Sequence, residues 1–210
     1  MIAIIDYDAG NLTSVARALG FLGQKYVITR RKEEILAADR VIFPGVGAAA
    51  SAMESLNRYG LDLVLKRVLD SGRPLLGICL GTQIITGFSE EGHIPCLNLI
   101  PGRVKAFSRE MRDEAGKALK IPHMGWNQVR VTQAHPVLAD IGEEDAFYFV
   151  HGYYPEPADP AHVLAETDYG ITFASAMGFG NLVATQFHPE KSGRPGLRLL
   201  DNFCRWEGKP

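Results

Sequence analysis

A chain of 210 residues with 46% hydrophobic and 22% charged residues has the make-up of one globular domain rather than a disordered tail or a fibre. Its formal charge of −2 gives no electrostatic reason to bind nucleic acid or an anionic membrane, and aromatics are not interleaved with basic clusters anywhere. Three cysteines, Cys79, Cys96 and Cys204, without a close pairing argue against a disulfide framework or structural zinc, and for a cytoplasmic setting with reduced thiols.

Ile2–Ile5 is an apolar run that soon meets Asp6 and Asp8, too short for a leader or a membrane span, and reads as a buried strand. A Gly10-Asn11 turn leads into a helix from Thr13 to about Leu22, followed by a strand at Tyr26–Thr29 and a short helix near Glu33–Ala37. Val41–Phe43 is a third strand, stopped by Pro44-Gly45. Helical spacing returns from about Ala48 to Arg58 and from Leu61 to Leu69, and the run after Pro74 is a strand that arrives at Cys79. Strands alternating with helices of this length predict crossover units and a mostly parallel sheet covered on both faces, an α/β architecture.

The second half changes texture. Val104–Phe107, Gln128–Thr132, Ala146–Val150, Val163–Thr167, Ile171–Ala176 and Leu182–Phe187 are strand candidates between turn residues, which predicts antiparallel strands added to the parallel core. Glu90–Gly102 and Ser108–Gly125 read as loops, and Pro195–Trp206 as a closing helix. No break in composition divides the chain, so one domain spanning 1–210 is expected.

The sharpest chemical signal is Gly77-Ile78-Cys79-Leu80-Gly81, where a strand passes through a glycine-flanked cysteine into the helical Thr82–Ile85. This is the pattern of a nucleophile elbow, in which a tight, strained turn lifts the nucleophile to a helix N-terminus that favours a thiolate. A lone cysteine is more often plain core, but glycines on both sides of a strand-to-helix junction reverse that reading. His188-Pro189-Glu190, directly after a strand, offers a base and an orienting carboxylate from one short turn, against the plainer reading of a loop histidine beside a solvated glutamate. None of the other five histidines is placed comparably or spaced as a metal ligand. For an oxyanion the backbone N–H of Leu80 is the first candidate donor, and the turn of Gly45, Val46 and Gly47 the second, although that turn reads equally as purely structural.

Taken together these motifs resemble the class I, triad-type glutamine amidotransferases, and more narrowly the glutaminase subunits of imidazole glycerol phosphate synthases. The resemblance is carried by Asp6-Tyr7 with Gly10-Asn11-Leu12, by residues 44–48, by Gly77–Gly81 with Gln83, by Ser89–Gly92, by Pro122-His123-Met124-Gly125-Trp126-Asn127, by Tyr148–His151, and by Gln186–Gly193. It implies a flavodoxin-like three-layer fold and glutamine hydrolysis through a thioester on Cys79, with His188 and Glu190 completing the triad. It further implies Leu80, Val46 and Gly47 around the oxyanion, and Gln83, Glu91, Gly45, His151, Gly152 and Tyr153 around the glutamine, with Glu91 suited to the α-ammonium. No cofactor or metal is implied. The implied partner is a (β/α)8-barrel cyclase of histidine biosynthesis that receives ammonia through a protected channel, with Asn11, Trp126 and Lys191 at or near the interface. Two positions depart from the pattern: Ala49-Ala50 where an aromatic residue and a glycine are usual, and His151-Gly152-Tyr153 where His-Ser-Tyr or a close variant is common. A glutaminase serving another synthase, or a non-catalytic binding module on the same sheet, are the alternative readings.

Overall fold

The computed structural model describes residues 1–113 and 115–209. The first half runs β1 (Ile2–Ile5), α1 (Leu12–Phe21), β2 (Tyr26–Thr29), α2 (Lys32–Ala37), β3 (Arg40–Gly45), α3 (Ala49–Tyr59), α4 (Leu61–Asp70), β4 (Leu75–Cys79) and α5 (Leu80–Ile84). The second half adds β5 (Phe88–Ser89), β6 (Ile94–Pro95), β7 (Gly102–Ala106), β8 (His123–Gln128), β9 (Arg130–Val131), β10 (Ala146–His151), β11 (Tyr153–Pro157), β12 (Val163–Asp168), β13 (Thr172–Phe179), β14 (Leu182–Thr185) and α6 (Gly193–Arg205).

Eight strands form the central sheet in the order β2-β1-β3-β4-β14-β13-β12-β9. The first five are parallel, and β13, β12 and β9 continue the sheet antiparallel. An order of 2-1-3-4 followed by the last strand is that of a flavodoxin-like sheet, whose ligands gather at the carboxyl ends of the strands. Buried parallel strands are apolar on both faces, and alternate residues divide accordingly. Ile2, Ile4, Ile42, Leu76 and Ile78 pack with α1 and α6, whereas Ala3, Ile5, Val41, Phe43 and Leu75 pack with the helices from α2 to α5. Helices on both faces make the three layers. On α6 the helical spacing buries Leu199, Leu200 and Phe203 completely, each contributing about 1.5–3 kcal/mol by area removed from water.

β6 interrupts the expected loop Glu90–Gly102, the expected strand Gln128–Thr132 is split between β8 and β9, and three further departures from the sequence expectation have a local reason. β3 continues through Pro44-Gly45, because β1 pairs with it only as far as Ile42 and leaves Pro44 paired on the β4 side alone. The expected loop Ser108–Gly125 ends early: β8 begins at His123 and pairs with β10 in the register His123↔His151, Trp126↔Tyr148. β11, with Pro155 and Pro157, was not expected as a strand; it lies at the edge of a four-stranded sheet, where a missing N–H is tolerated. Among the described residues no helix is long and apolar enough to cross a membrane.

Candidate active site

β4 and β14 lie side by side and parallel, with Thr185 opposite Ile78, so the segments leaving them emerge at the same edge of the sheet. Cys79 closes β4 with φ 54° and ψ −104°, a conformation that is strained for a side chain with a Cβ, and α5 starts at the next residue. The strain is held by glycine on the far side of the turn: a Cβ on Gly81 would stand 2.0 Å from the Phe43 carbonyl oxygen. On the near side a Cβ on Gly77 would press on Ala184 at 3.1 Å. Cys79 is 6% exposed, and the Gln186 amide reaches its sulfur at 3.7 Å.

His188 follows β14 and is fixed at its backbone, its N–H donating to the Tyr148 carbonyl at 2.9 Å. Its ring Nδ1 hydrogen-bonds Glu190 Oε1 at 2.7 Å across the 3-10 turn Pro189–Lys191, and both side chains are buried. The same carboxylate oxygen accepts from the side-chain amide of Asn11, while Oε2 is buried without a partner among the described residues. Asn11 sits at φ 76°, a left-handed conformation that asparagine tolerates, and its side chain serves Glu190 instead of capping α1. Its placement beside Glu190 is a role that the interface reading did not contain.

Burial alone would depress the His188 pKa, but the Cys79 sulfur and the Glu190 carboxylate outweigh it and raise it to about 9. The sulfur therefore stabilises an imidazolium, although Nε2 does not meet it in ordinary hydrogen-bond geometry. Such loosely aligned pairs tighten when a substrate enters. A thiol at a helix N-terminus, beside an imidazolium held by a carboxylate, can exist as a thiolate and attack an acyl carbon. Burial pushes the thiols of Cys96 and Cys204 up to about 11.

Cys79 opens into a cavity of about 330 Å³ lined by Val46, Gly47, Leu80, Gln83, Glu91, Pro122, Val150, His151, Gly152 and Tyr153. Nine residues singled out from the sequence thus share one small pocket. Within it Glu91 Oε2 accepts from the Ala49 N–H at 2.8 Å, at the start of α3. The Gln83 amide donates to the Tyr153 carbonyl at 2.9 Å and to Gln186 Oε1 at 3.1 Å. His151 borders the cavity, but both of its ring nitrogens are engaged within the protein. Gly45 lies outside the lining, buried against the hydroxyl of Tyr7. Tyr7 is fully buried, its hydroxyl has no partner among the described residues, and its ionisation is opposed first by burial and then by Cys79. A larger open groove, about 710 Å³ along Phe88, Gly102, Arg103 and Glu156, holds no nucleophile.

Trp126 and Lys191 stand apart from the cavity, on the outside. Met124 and Trp126 are 62% and 58% exposed, Trp126 meets Tyr148 edge-on at 6.1 Å, and the Lys191 ammonium lies 5.9 Å from the Tyr148 ring.

The family model described as glutamine amidotransferase class-I matches residues 3–206. The imidazole glycerol phosphate synthase subunit HisH of Nitratidesulfovibrio vulgaris strain DP4 is 51% identical over 206 residues, covering 98% of this chain and 96% of that protein. The subunit of the same name from Chromobacterium violaceum is 46% identical over 210 residues, covering 99% and 98%. Among solved structures, PurLQS from Thermotoga maritima superposes with a TM-score of 0.69 at 17% identity, covering 97% of each chain. The glutaminase domain of Trypanosoma brucei CTPS with bound acivicin gives 0.62 at 14%, covering 97% of this chain and 93% of that one; at such identities the likeness is one of fold.

Proposed function

The chain belongs to the class-I glutamine amidotransferases and, within them, to the family of imidazole glycerol phosphate synthase HisH subunits, and from that membership we propose that it is a glutaminase whose nucleophile is Cys79. The Cys79 thiolate attacks the side-chain amide carbon of glutamine. The negative charge gathering on the amide oxygen faces the Leu80 N–H and the loop of Val46 and Gly47. His188 gives its proton to the departing nitrogen, the C–N bond breaks, and ammonia leaves a glutamyl thioester on the sulfur. Water then attacks the thioester with His188 as base, releasing glutamate and restoring the thiolate.

Glu190 keeps the imidazole in the tautomer that presents Nε2 to the sulfur and stabilises its charged form, and Asn11 keeps Glu190 in place. Glu91, whose carboxylate borders the cavity, suits the α-ammonium of the substrate. Gln83, Gly152 and Tyr153 shape the remaining wall, with Gly45 setting the loop behind it. The whole chain, 1–210, acts as one glutaminase unit in the cytoplasm.

The partner is a (β/α)8-barrel cyclase of histidine biosynthesis, joined as a heterodimer and supplied with ammonia through a protected channel. The exposed apolar surface of Met124 and Trp126 beside Lys191 supports a docking face there, since contiguous exposed apolar side chains mark interaction sites. One observation carries the reading: Cys79, in the cavity wall, has beside it the carboxylate-held imidazole of His188, 109 positions away in sequence. Cys79→Ala, assayed for glutamine hydrolysis with the cyclase present, is expected to lose turnover while still binding the cyclase. Full turnover in that variant would refute the nucleophile.

A further inference from the structure

Beside the reactive pair lies a second imidazole system that the reaction above does not use. β8 and β10 form a two-stranded ribbon whose inner face carries His123 and Asn127 from one strand and His151 from the other. Asn127 Nδ2 donates to the Asp168 carbonyl at 2.9 Å and lies 3.3 Å from His123 Nε2. His123 Nδ1 is 3.0 Å from His151 Nε2, and His151 Nδ1 is 2.8 Å from the Tyr153 carbonyl. The Gln83 amide donates to that same carbonyl.

The direction of every bond in this row is determined. A carbonyl only accepts, so His151 Nδ1 bears hydrogen; in a neutral ring its Nε2 is then an acceptor, and His123 Nδ1 must donate to it. From the other end, Asn127 donates through Nδ2 to Asp168, and its Oδ1 accepts from the Gln128 N–H at 2.8 Å. The amide therefore presents a donor to His123 Nε2, which again puts the hydrogen on His123 Nδ1. Both ends give the same tautomers. Neutrality itself is supported by burial, which lowers His123 to about 4 and His151 to about 3.

We infer that His123 and Asn127 are positioning residues for the glutamine pocket, locking His151 as its neutral Nδ1–H tautomer and, through it, holding the Tyr153 carbonyl in the pocket wall. The inference rests on the glutaminase reading and extends it. One imidazole partners the reactive sulfur and a second, His151, borders the same cavity, and only the first is to carry the proton. With both nitrogens of His151 occupied, the proton inventory stays on His188. With the Tyr153 carbonyl held by two donors, that part of the cavity wall is set before glutamine arrives, which lowers the ordering cost of binding. The loss of this row therefore weakens glutamine binding more than it slows the chemical steps.

The test uses the full chain with its cyclase and glutamine as substrate. His123→Phe keeps an aromatic ring of similar size but no donor, and is expected to raise KM about tenfold with kcat changed by less than about threefold. His123→Asn, whose amide nitrogen falls where Nδ1 stood, restores KM to within about threefold of the parent. In the unsubstituted protein, nitrogen–proton correlation spectra of the ring nitrogens at neutral pH are expected to show His123 and His151 both protonated at Nδ1 alone. An unchanged KM in His123→Phe, a loss confined to kcat, or either ring protonated at Nε2 would overturn the inference. The spectra need no variant to fold and no turnover. A parent protein that fails to hydrolyse glutamine would instead count against the glutaminase reading while the tautomers are still read.

Discussion

Gly45→Ala probes a steric contact with Tyr7 beneath the loop of Val46 and Gly47. A Cβ at this position would lie 1.9 Å from the Tyr7 hydroxyl oxygen, 3.1 Å from its Cζ and 3.3 Å from the Leu80 Cβ. Tyr7 cannot swing away, being fully buried with its ring against Phe43 at a centroid distance of 4.9 Å. The contact must open by about 1 Å or more, and overpacking of that kind costs about 1–3 kcal/mol. Tyr7→Phe removes the offending oxygen, and because that buried hydroxyl has no partner among the described residues, its loss alone is expected to be neutral or stabilising by about 1 kcal/mol. In the double variant the nearest ring atom, at 3.1 Å, requires a shift of only a few tenths of an ångström. Urea denaturation of the four proteins should therefore give a coupling of at least about 1 kcal/mol, with Tyr7→Phe rescuing Gly45→Ala. Additive effects within about 0.5 kcal/mol would refute the assignment of the clash to the Tyr7 oxygen.

Gly81→Ala provides the contrast. Its Cβ would meet the Phe43 backbone carbonyl at 2.0 Å, so no side-chain substitution at Phe43 should rescue the variant, and a rescued melting temperature would count against the close approach. Asn11→Gly preserves the left-handed backbone but removes the amide on Glu190, and is expected to cut kcat about tenfold. Asn11→Asp should cost more, by setting two carboxylates together, and equal rates for the three proteins would refute the contact. Acid should destabilise the fold through His123, His135 and His151, all buried, which burial lowers to about 4, about 4 and about 3. Unfolded imidazoles bind protons near pH 6.5 and these native ones do not, so their contribution is complete above pH 6.5 and is lost as pH falls towards 4. At pH 5 each has lost about 2 kcal/mol, and a urea midpoint unchanged between pH 7 and 5 would contradict the burial.

The parallel half of the fold was legible because strands buried on both faces spell uninterrupted apolar runs, as Ile2–Ile5 and Leu75–Cys79 do. β8 was partly hidden because its alternation is inverted: His123 and Asn127 face inward while Met124 and Trp126 face outward. A pattern search that expects apolar residues inside passes over such a strand. β11 was hidden by its prolines, which an edge position tolerates. At the site, Cys79 and His188 stood out because strand ends and flanking glycines mark them locally. The Asn11 amide on Glu190 spans 179 positions and leaves no local trace beyond a Gly-Asn turn. The His123–His151 row likewise depends on a strand register that only the folded chain sets.

The three cysteines make the central claim directly testable. The protein with its cyclase is treated at neutral pH with an electrophilic glutamine analogue such as a γ-glutamyl chloroketone, and the adduct is located by peptide mass mapping. Cys96 and Cys204, held as thiols by pKa values pushed up to about 11, should remain unmodified. One adduct per chain, on Cys79 and blocked by excess glutamine, is the expected outcome. An adduct confined to Cys96 or Cys204, or none at all, would contradict the account.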